Sequence, residues 1–131
     1  MDHFSDLELD YLGGQRLGRL ATVDASNAPQ NSPVGFHITA GGEVVISGYN
    51  MGQTRKFRNV TGNGQVSLVV DDIASVDPWR VRGVEIRGHA AAVTGAEPSR
   101  PWLSREQIVI HPRRVISWGL TEQAPAGSEA G

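Results

Sequence analysis

The chain has 131 residues, no cysteine and a formal net charge of −2. This length is typical of one domain with a buried core, and the lack of cysteine excludes disulfides, thiolate metal sites and a cysteine nucleophile. The charge balance argues against nucleic-acid binding, and no apolar run approaches the roughly 20 residues of a membrane span. Because the first residues also lack the pattern of a signal peptide, we expect a cytoplasmic protein.

The first predicted element is a short helix at residues 6–12. Ser5 and Glu8 have the spacing of a capping box, and Gly13-Gly14 ends the helix. Three strands separated by turns follow, and the sequence predicts them at residues 17–23, 30–39 and 43–48.

The second of these strands has an unusual outward face. Its alternation directs apolar residues inward, namely Val34, Phe36 and Ile38. Pro33 and Gly35, which carry almost no side chain, face outward. Such a flat surface suits a planar ring lying along the strand, with Asn31 and Ser32 adding polar contacts. A β-bulge at a barrel corner accounts for the same two residues equally well.

The next predicted helix, residues 54–61, concentrates positive charge in its first turn. Thr54 is the expected N-cap, and Arg55, Lys56 and Arg58 follow it. Cations are unfavourable at the positive end of a helix dipole, so the pattern indicates that a phosphate or another anion binds there. A solvated basic patch is the alternative interpretation. Together with the flat strand, the cluster predicts a flavin-like phosphorylated cofactor.

Four further strands are predicted in the second half of the chain, at residues 65–71, 84–94, 107–111 and 113–120. Residues 72–82 are expected to form a loop, the prolines of residues 95–103 prevent a helix of useful length, and Pro112 separates the last two strands. Six or seven antiparallel strands in mostly neighbouring order, with two or three short helices, predict a mainly β barrel. We expect one domain at residues 1–120 and a disordered tail at residues 121–131.

The sequence contains no convincing catalytic apparatus of its own. Nucleophile, Walker and Rossmann motifs are missing, and the spacings of the four histidines predict no metal site. His37 and Tyr49 are the candidate proton donors, with bulk water as the alternative; a partly exposed strand position is the commoner role for such a histidine. Trp79 is expected at a rim or subunit contact, and Trp118 in the core. Any chemistry therefore depends on a bound cofactor.

Five segments together resemble a known family. Leu-Gly-Arg-Leu-Ala-Thr-Val-Asp at 17–24, Asn-Ser-Pro-Val-Gly-Phe at 31–36 and Thr-Arg-Lys-Phe-Arg-Asn-Val at 54–60 resemble the pyridoxamine 5′-phosphate oxidase-like split β-barrel superfamily. Val-Arg-Gly-Val-Glu-Ile-Arg-Gly-His-Ala at 81–90 and Ile-His-Pro-Arg-Arg-Val-Ile-Ser-Trp-Gly at 110–119 resemble its deazaflavin branch, which uses coenzyme F420. Within that branch the chain is similar to small proteins of the dehydrotetracycline reductase type.

The resemblance implies an F420H2-dependent reductase that transfers a hydride to a conjugated double bond of a small organic substrate. It implies a homodimer with cofactor sites at the interface. The cofactor-binding residues that it implies are Ser32, Pro33, Val34, Gly35, Ser47, Thr54, Arg55, Lys56, Asn59, Trp79 and Trp118, with Arg58 beside them. FMN is the alternative cofactor, and a non-catalytic F420 carrier or sensor is the alternative function.

The segment at residues 95–103 departs from the family pattern. Many relatives carry a longer helix between these two strands, whereas here the segment is short and contains Pro98 and Pro101. Because that region often shapes the substrate pocket, a relative's substrate is not transferred to this chain by the resemblance alone.

Overall fold

The computed structural model describes residues 3–121. Two helices, α1 (Asp6–Gly13) and α2 (Arg55–Gly62), accompany seven strands. The strands are β1 (Leu17–Val23), β2 (Pro29–Gly35), β3 (His37–Ile38), β4 (Val44–Ser47), β5 (Gln65–Ser75), β6 (Arg80–Val93) and β7 (Gln107–Trp118). A short 3₁₀ turn at Met51–Gln53 leads into α2. The predicted mainly β architecture, a split barrel with short helices, is confirmed.

All seven strands join one sheet in the order β2-β1-β5-β6-β7-β4-β3, and every pairing is antiparallel. The β1–β2 and β3–β4 pairs therefore lie at opposite edges of the sheet, so the three strands predicted at residues 17–23, 30–39 and 43–48 do not form one run of neighbouring strands. The sheet curls until β2 contacts β4. This closure brings the outward face of β2 beside the segment that leads into α2.

One hydrophobic cluster fills the barrel. Alternate residues of the central strands are fully buried, among them Leu20, Leu68, Ile86 and Ile110. The strands predicted at 65–71 and 84–94 show this alternation of buried and more exposed residues over most of their length. Phe57 and Val60, three residues apart on α2, close one side of the core. Each such side chain contributes roughly 1.5–3 kcal/mol when it is fully buried.

The predicted second and third strands were too long. The second, residues 30–39, is divided at Phe36 into β2 and β3, since Phe36 turns toward the core cluster where the chain leaves one sheet edge for the other. The third, residues 43–48, is shortened to β4, with buried residues at Val44, Val45 and Ile46.

The loop predicted at residues 72–82 is largely strand. β5 continues to Ser75 and β6 begins at Arg80, so only a tight turn remains between them. The ladder continues because Arg82 binds Asp72 on the facing strand, with Nε–Oδ1 at 2.8 Å and Nη2–Oδ2 at 3.0 Å. Charged residues at these positions look like loop sequence, but here they form a cross-strand pair.

Pro112 does not divide the last strand. β7 runs through it, and Pro112 pairs with Gly88 of β6 at a shift of register. The bulge supplies a position that needs no backbone N–H donor, which is where a proline is tolerated inside a sheet. A side chain on Gly88 would meet the carbonyl group of His111, so glycine permits the close approach of the two strands. The two predicted strands are therefore one bent strand.

The N-terminal helix is fixed to the barrel by two polar contacts. The predicted capping box is present: the Ser5 backbone N–H donates to Glu8 Oε1 at 2.8 Å, and the Glu8 N–H donates to Ser5 Oγ at 3.1 Å. Glu8 also accepts a 2.6 Å bond from the Ser117 hydroxyl. The Tyr11 hydroxyl donates to Asp72 Oδ1 at 2.8 Å, next to Arg82. α1 is thereby held across the ends of β5, β6 and β7.

Candidate functional site

A cleft of about 280 Å³ lies where β2, the end of β4 and the start of α2 meet. We call it the ring cleft. Its lining residues are Pro33, Val34, Gly35, Ser47, Gly48, Tyr49, Asn50, Met51, Thr54 and Lys56. The flat face of β2 and the cationic helix start, which the sequence identified separately, therefore line one cavity.

The β2 wall of the ring cleft is open and flat. Pro33 and Gly35 are exposed, whereas Val34 between them is buried in the core. An added Cβ on Gly35 would have only the carbonyl oxygen of Arg16 nearby, at 3.9 Å, so the space over this residue is empty of protein atoms. A planar ring can lie against such a wall without displacing a side chain.

The other end of the ring cleft is the start of α2. Thr54 is the N-cap as predicted: its hydroxyl accepts from the Phe57 N–H at 3.3 Å and donates to the Met51 carbonyl at 2.6 Å. This hydroxyl is therefore already engaged in shaping the helix start. The Lys56 ammonium group and the first-turn backbone N–H groups are the donors that this end offers to an anion.

A larger groove of about 730 Å³ also borders α2, and we call it the arginine groove. It is lined by Val23, Asp24, Ala25, Ser26, Asn27, Arg55, Arg58, Asn59, Gly62 and Asn63. Arg55 and Arg58 are exposed, and Arg58 Nη1 donates to the Gln53 carbonyl at 3.3 Å. The cations of α2 are thus divided between two cavities, with Lys56 in the ring cleft and the two arginines in the groove.

Asp24 shapes the floor of the arginine groove. Its Oδ1 accepts from the backbone N–H groups of Ser26 and Ala28 at 2.8 and 2.9 Å, and from the Ser26 hydroxyl at 2.8 Å. The bond from Ala28 and those from Ser26 hold the pKa of this carboxyl group below its usual range, with a smaller contribution from the charge of Arg55. Asp24 is therefore an anion that forms the turn between β1 and β2.

Asn59 is buried at the base of the arginine groove. Its side-chain nitrogen donates to Thr22 Oγ1 at 3.0 Å and to Gln30 Oε1 at 2.9 Å. Asn59 lies one helical turn after Arg55, and its amide nitrogen is engaged by the barrel. The network fixes α2 against β1 and β2.

Trp79 and Trp118 do not line the ring cleft within residues 3–121. Trp79 is 63% exposed in the β5–β6 turn, which agrees with a rim position. Trp118 is 36% exposed and lies over Gly83, where an added Cβ would be 2.6 Å from its ring, so the expectation that it is a core residue is wrong. Both belong to an exposed apolar hairpin surface, made of Ile73, Val76, Trp79, Val81 and Trp118.

The two candidate proton donors occupy different places. Tyr49 lines the ring cleft and is largely exposed. His37 is an exposed strand residue, as its sequence position indicated, and it lines an adjoining groove. The ring cleft also includes Gly48, Asn50 and Met51, which the sequence analysis did not single out. Their only sequence signal is their position in the turn before the basic helix.

Residues 3–121 contain neither a helix that could cross a membrane nor a group of three or more potential metal ligands.

The sequence matches the pyridoxamine 5′-phosphate oxidase family model over residues 7–123. The chain belongs to this family. A 5a,11a-dehydrotetracycline/5a,11a-dehydrooxytetracycline reductase of Streptomyces rimosus is 46% identical to it over 129 residues, which are 97% of this chain and 91% of the relative. The similarity to reductases of the dehydrotetracycline type, which the sequence motifs predicted, is confirmed.

Solved structures share the fold of this family member at lower sequence identity. A conserved hypothetical protein of Mycobacterium tuberculosis has a TM-score of 0.68 at 22% identity, covering 95% of this chain and 94% of the other. The FAD binding protein of Mycobacterium smegmatis has a TM-score of 0.64 at 20% identity, covering 87% and 93%. The fold is thus one on which a flavin-binding protein is also built.

Proposed function

We propose that this protein is an F420H2-dependent reductase that transfers a hydride to a conjugated double bond of a small organic substrate. The observation that carries the proposal is the ring cleft, which has a flat open wall at Pro33 and Gly35 and a cationic end at Lys56. A planar ring joined to a negatively charged phosphate is complementary to this shape and this positive charge. The 46% identical relative, which is named as a reductase of 5a,11a-dehydrotetracycline, supports the reaction class.

The residues present fit such a cofactor. Pro33 and Gly35 would support the ring, and Lys56 with the first-turn N–H groups of α2 would hold the phosphate. Reduced F420 supplies the hydride when it is bound. The chain contributes orientation and exclusion of water, which account for a large part of the rate in such transfers.

The arginine groove favours F420 over FMN. Both cofactors carry a phosphate, for which Lys56 and the helix start suffice. F420 also carries a carboxylate-bearing glutamate tail, and Arg55 and Arg58 line a groove on the same helix that would take these carboxylates. FMN has no group that needs the second basic site, and it is the second candidate cofactor.

We also propose that the protein is a homodimer with its cofactor sites at the interface. The apolar hairpin surface places Ile73, Trp79 and Trp118 in solvent in a single chain. Exposed apolar side chains gathered on one surface are typical of an interface. In the dimer, Trp79 and Trp118 would cover the partner's ring cleft, although they are outside that cleft in their own chain.

The test is oxidation of F420H2 with a conjugated ketone as acceptor, monitored through the return of the visible absorbance of oxidised F420. Multiple turnovers per protein chain support the reductase, and stoichiometric oxidation or none would leave a carrier or sensor. Lys56→Ala should weaken F420 binding roughly tenfold or more, which corresponds to about 1.4 kcal/mol. Arg113→Ala removes an exposed cation from β7 and serves as the control. Equal affinities of the two variants would remove the assigned role of Lys56.

A further inference from the structure

Two more cavities continue from the ring cleft along the barrel. The first is a groove of about 190 Å³, which we call the acceptor groove, and its lining residues are Gly35, Phe36, His37, Val45, Ser47, Ser99 and Leu103. It shares Gly35 and Ser47 with the ring cleft. A ligand in this groove therefore lies directly beside the flat wall of β2.

The second cavity is a cleft of about 330 Å³ between α1 and β3, which we call the α1 cleft. Its lining residues are Leu9, Leu12, Gly13, Gln15, Phe36, His37 and Ile38. It shares Phe36 and His37 with the acceptor groove. The three cavities thus form a row, and His37 lies at the boundary between the last two.

Ser104 fixes the outer wall of the acceptor groove. Its backbone N–H and its hydroxyl both donate to the Gly48 carbonyl, at 2.9 and 3.2 Å, and the hydroxyl accepts from the Met51 N–H at 3.1 Å. A further backbone bond, from Ala96 N–H to the Arg105 carbonyl at 2.9 Å, closes the loop on itself. The loop that carries Ser99 and Leu103 is therefore attached to the same turn that lines the ring cleft.

The chemistry of the row matches a flat, polycyclic conjugated ketone. Its walls combine apolar and polar groups, and the apolar side chains run from Val45 and Leu103 in the groove to Leu9 in the α1 cleft. The polar side chains are the hydroxyls of Ser47 and Ser99, the Gln15 amide and the imidazole ring of His37, which can donate a hydrogen bond to a carbonyl oxygen. The acceptor groove alone is smaller than the roughly 300–1,000 Å³ of pockets that enclose a whole drug-sized ligand, so it admits one ring.

We propose that the acceptor groove and the α1 cleft together bind a multi-ring conjugated ketone. The ring that is reduced lies in the acceptor groove, the remaining rings extend past His37 into the α1 cleft, and a His37 N–H donates to a carbonyl oxygen. The inference rests on the proposed function, because the ring that is reduced must be the one nearest to a cofactor in the ring cleft. Binding of a ligand to the two cavities can be measured without turnover.

The experiment compares one substitution at two positions of α1. Leu9 lines the α1 cleft, whereas Leu7, similarly exposed on the same helix, does not. Isothermal titration calorimetry with tetracycline, a four-ring ketone, is run on the full chain with and without F420. Leu9→Trp should raise the Kd for tetracycline at least tenfold, and Leu7→Trp should leave it within twofold of the unaltered protein.

A one-ring acceptor provides the second comparison. With 2-cyclohexen-1-one, the KM should be the same within twofold in both variants, because this acceptor needs only the acceptor groove. His37→Leu should raise the KM for this acceptor about tenfold without changing the F420 Kd, and His37→Gln, which keeps an N–H donor, should restore most of it. Equal His37→Leu and His37→Gln values contradict the assigned hydrogen bond.

The two proposals fail in different ways. Lack of F420 binding by the unaltered protein overturns the proposed function, while tetracycline binding that Leu9→Trp weakens still supports the site. Lack of tetracycline binding, or equal weakening by Leu9→Trp and Leu7→Trp, overturns the site whatever the result with F420.

Discussion

The side-chain nitrogen of Asn59 lies 2.9 Å from Oε1 of Gln30, and this contact joins the cationic helix to the strand that forms the wall of the ring cleft. The same nitrogen donates to Thr22 on β1 at 3.0 Å. Since Asn59 and Thr22 are buried, the bond between them is shielded from water. The position of α2 relative to β1 and β2 is therefore fixed by the side-chain amide of Asn59.

Asn59→Ala should weaken both stability and cofactor binding. It removes two hydrogen bonds and leaves the Thr22 hydroxyl buried without this donor, which costs about 1–3 kcal/mol of unfolding free energy. The F420 Kd should rise several-fold because α2 is no longer fixed relative to β2. Thermal unfolding and F420 fluorescence titration measure the two effects.

Tyr11→Phe is the control for Asn59→Ala. It also removes a tertiary hydrogen bond, from Tyr11 to Asp72, but at the α1 end of the barrel. It should lower the melting temperature and leave the F420 Kd unchanged. If Asn59→Ala also leaves that Kd unchanged at a temperature where it is folded, the positioning role assigned to Asn59 is wrong.

Arg58→Gln should separate the two candidate cofactors. Arg58 lines the arginine groove, so its loss should weaken F420 binding about three- to tenfold and leave FMN binding within twofold. The contribution of Arg58 to F420 affinity should also decrease with added salt, because its side chain is exposed. Parallel titrations at two salt concentrations test this, and equal losses for both cofactors would contradict a tail-binding groove.

Trp79→Glu should convert a dimer to monomers. It places a charge in the apolar hairpin surface, where a dimer interface would leave it desolvated. Trp102→Glu is the matched control, because Trp102 is 59% exposed and lies on the loop after β6. Sedimentation velocity should show a smaller particle only for Trp79→Glu. Identical sedimentation of both variants and the unaltered protein would place the interface elsewhere.

Acid should destabilise the contact between α1 and the barrel through Asp72. Hydrogen bonds from Arg82, and a smaller contribution from the Tyr11 hydroxyl, hold the pKa of Asp72 below its usual range. Burial raises the pKa of Tyr11, so its hydroxyl stays protonated at neutral pH and donates a hydrogen bond to Asp72. Because the pKa of Asp72 is lower in the folded state, the stabilisation from its ionised carboxylate is fully present above the unfolded pKa of about 3.9. It is lost as the pH falls through the folded-state pKa.

Urea unfolding from about pH 6 down to about pH 2 measures this dependence. Asp72→Asn should be less stable than the unaltered protein at the upper end and should lose less stability as the pH falls. Arg19 pairs with Asp71 in an exposed contact of 3.0 Å, so Asp71→Asn is the matched control. It should have little effect on the slope of unfolding free energy against pH. Parallel slopes for Asp72→Asn and the unaltered protein would show that the contact does not respond to acid.

Local patterns made the strongest sequence predictions. The capping box of Ser5 and Glu8, the N-cap at Thr54 and the alternation around Val34 were all correct, because each depends on residues within a few positions of one another. Pro112 and the 72–82 segment were misinterpreted because their strand character depends on partners on another strand. Local sequence does not show that Gly88 makes room for β7 or that Arg82 faces Asp72.

The candidate site was only partly predictable for the same reason. Sequence indicated a flat strand and a cationic helix, but their meeting in one cleft depends on closure of a sheet whose edges are β2 and β3. The hydrogen bonds of Asn59 to Thr22 and Gln30 likewise join residues far apart in the sequence. The acceptor groove was not predicted, since the loop that covers it is attached through Ser104, a residue with no distinctive sequence signal.

The most direct test of the account is a fluorescence titration of the purified protein with F420 and, in parallel, with FMN. In the proposed function the ring cleft would take the ring and phosphate of either cofactor, but F420 alone has a tail for the arginine groove. We predict that F420 binds at least tenfold more tightly than FMN and that Lys56→Ala weakens both. Tighter binding of FMN would contradict the assignment of F420, and binding of neither would contradict the reading of the α2 start as an anion site.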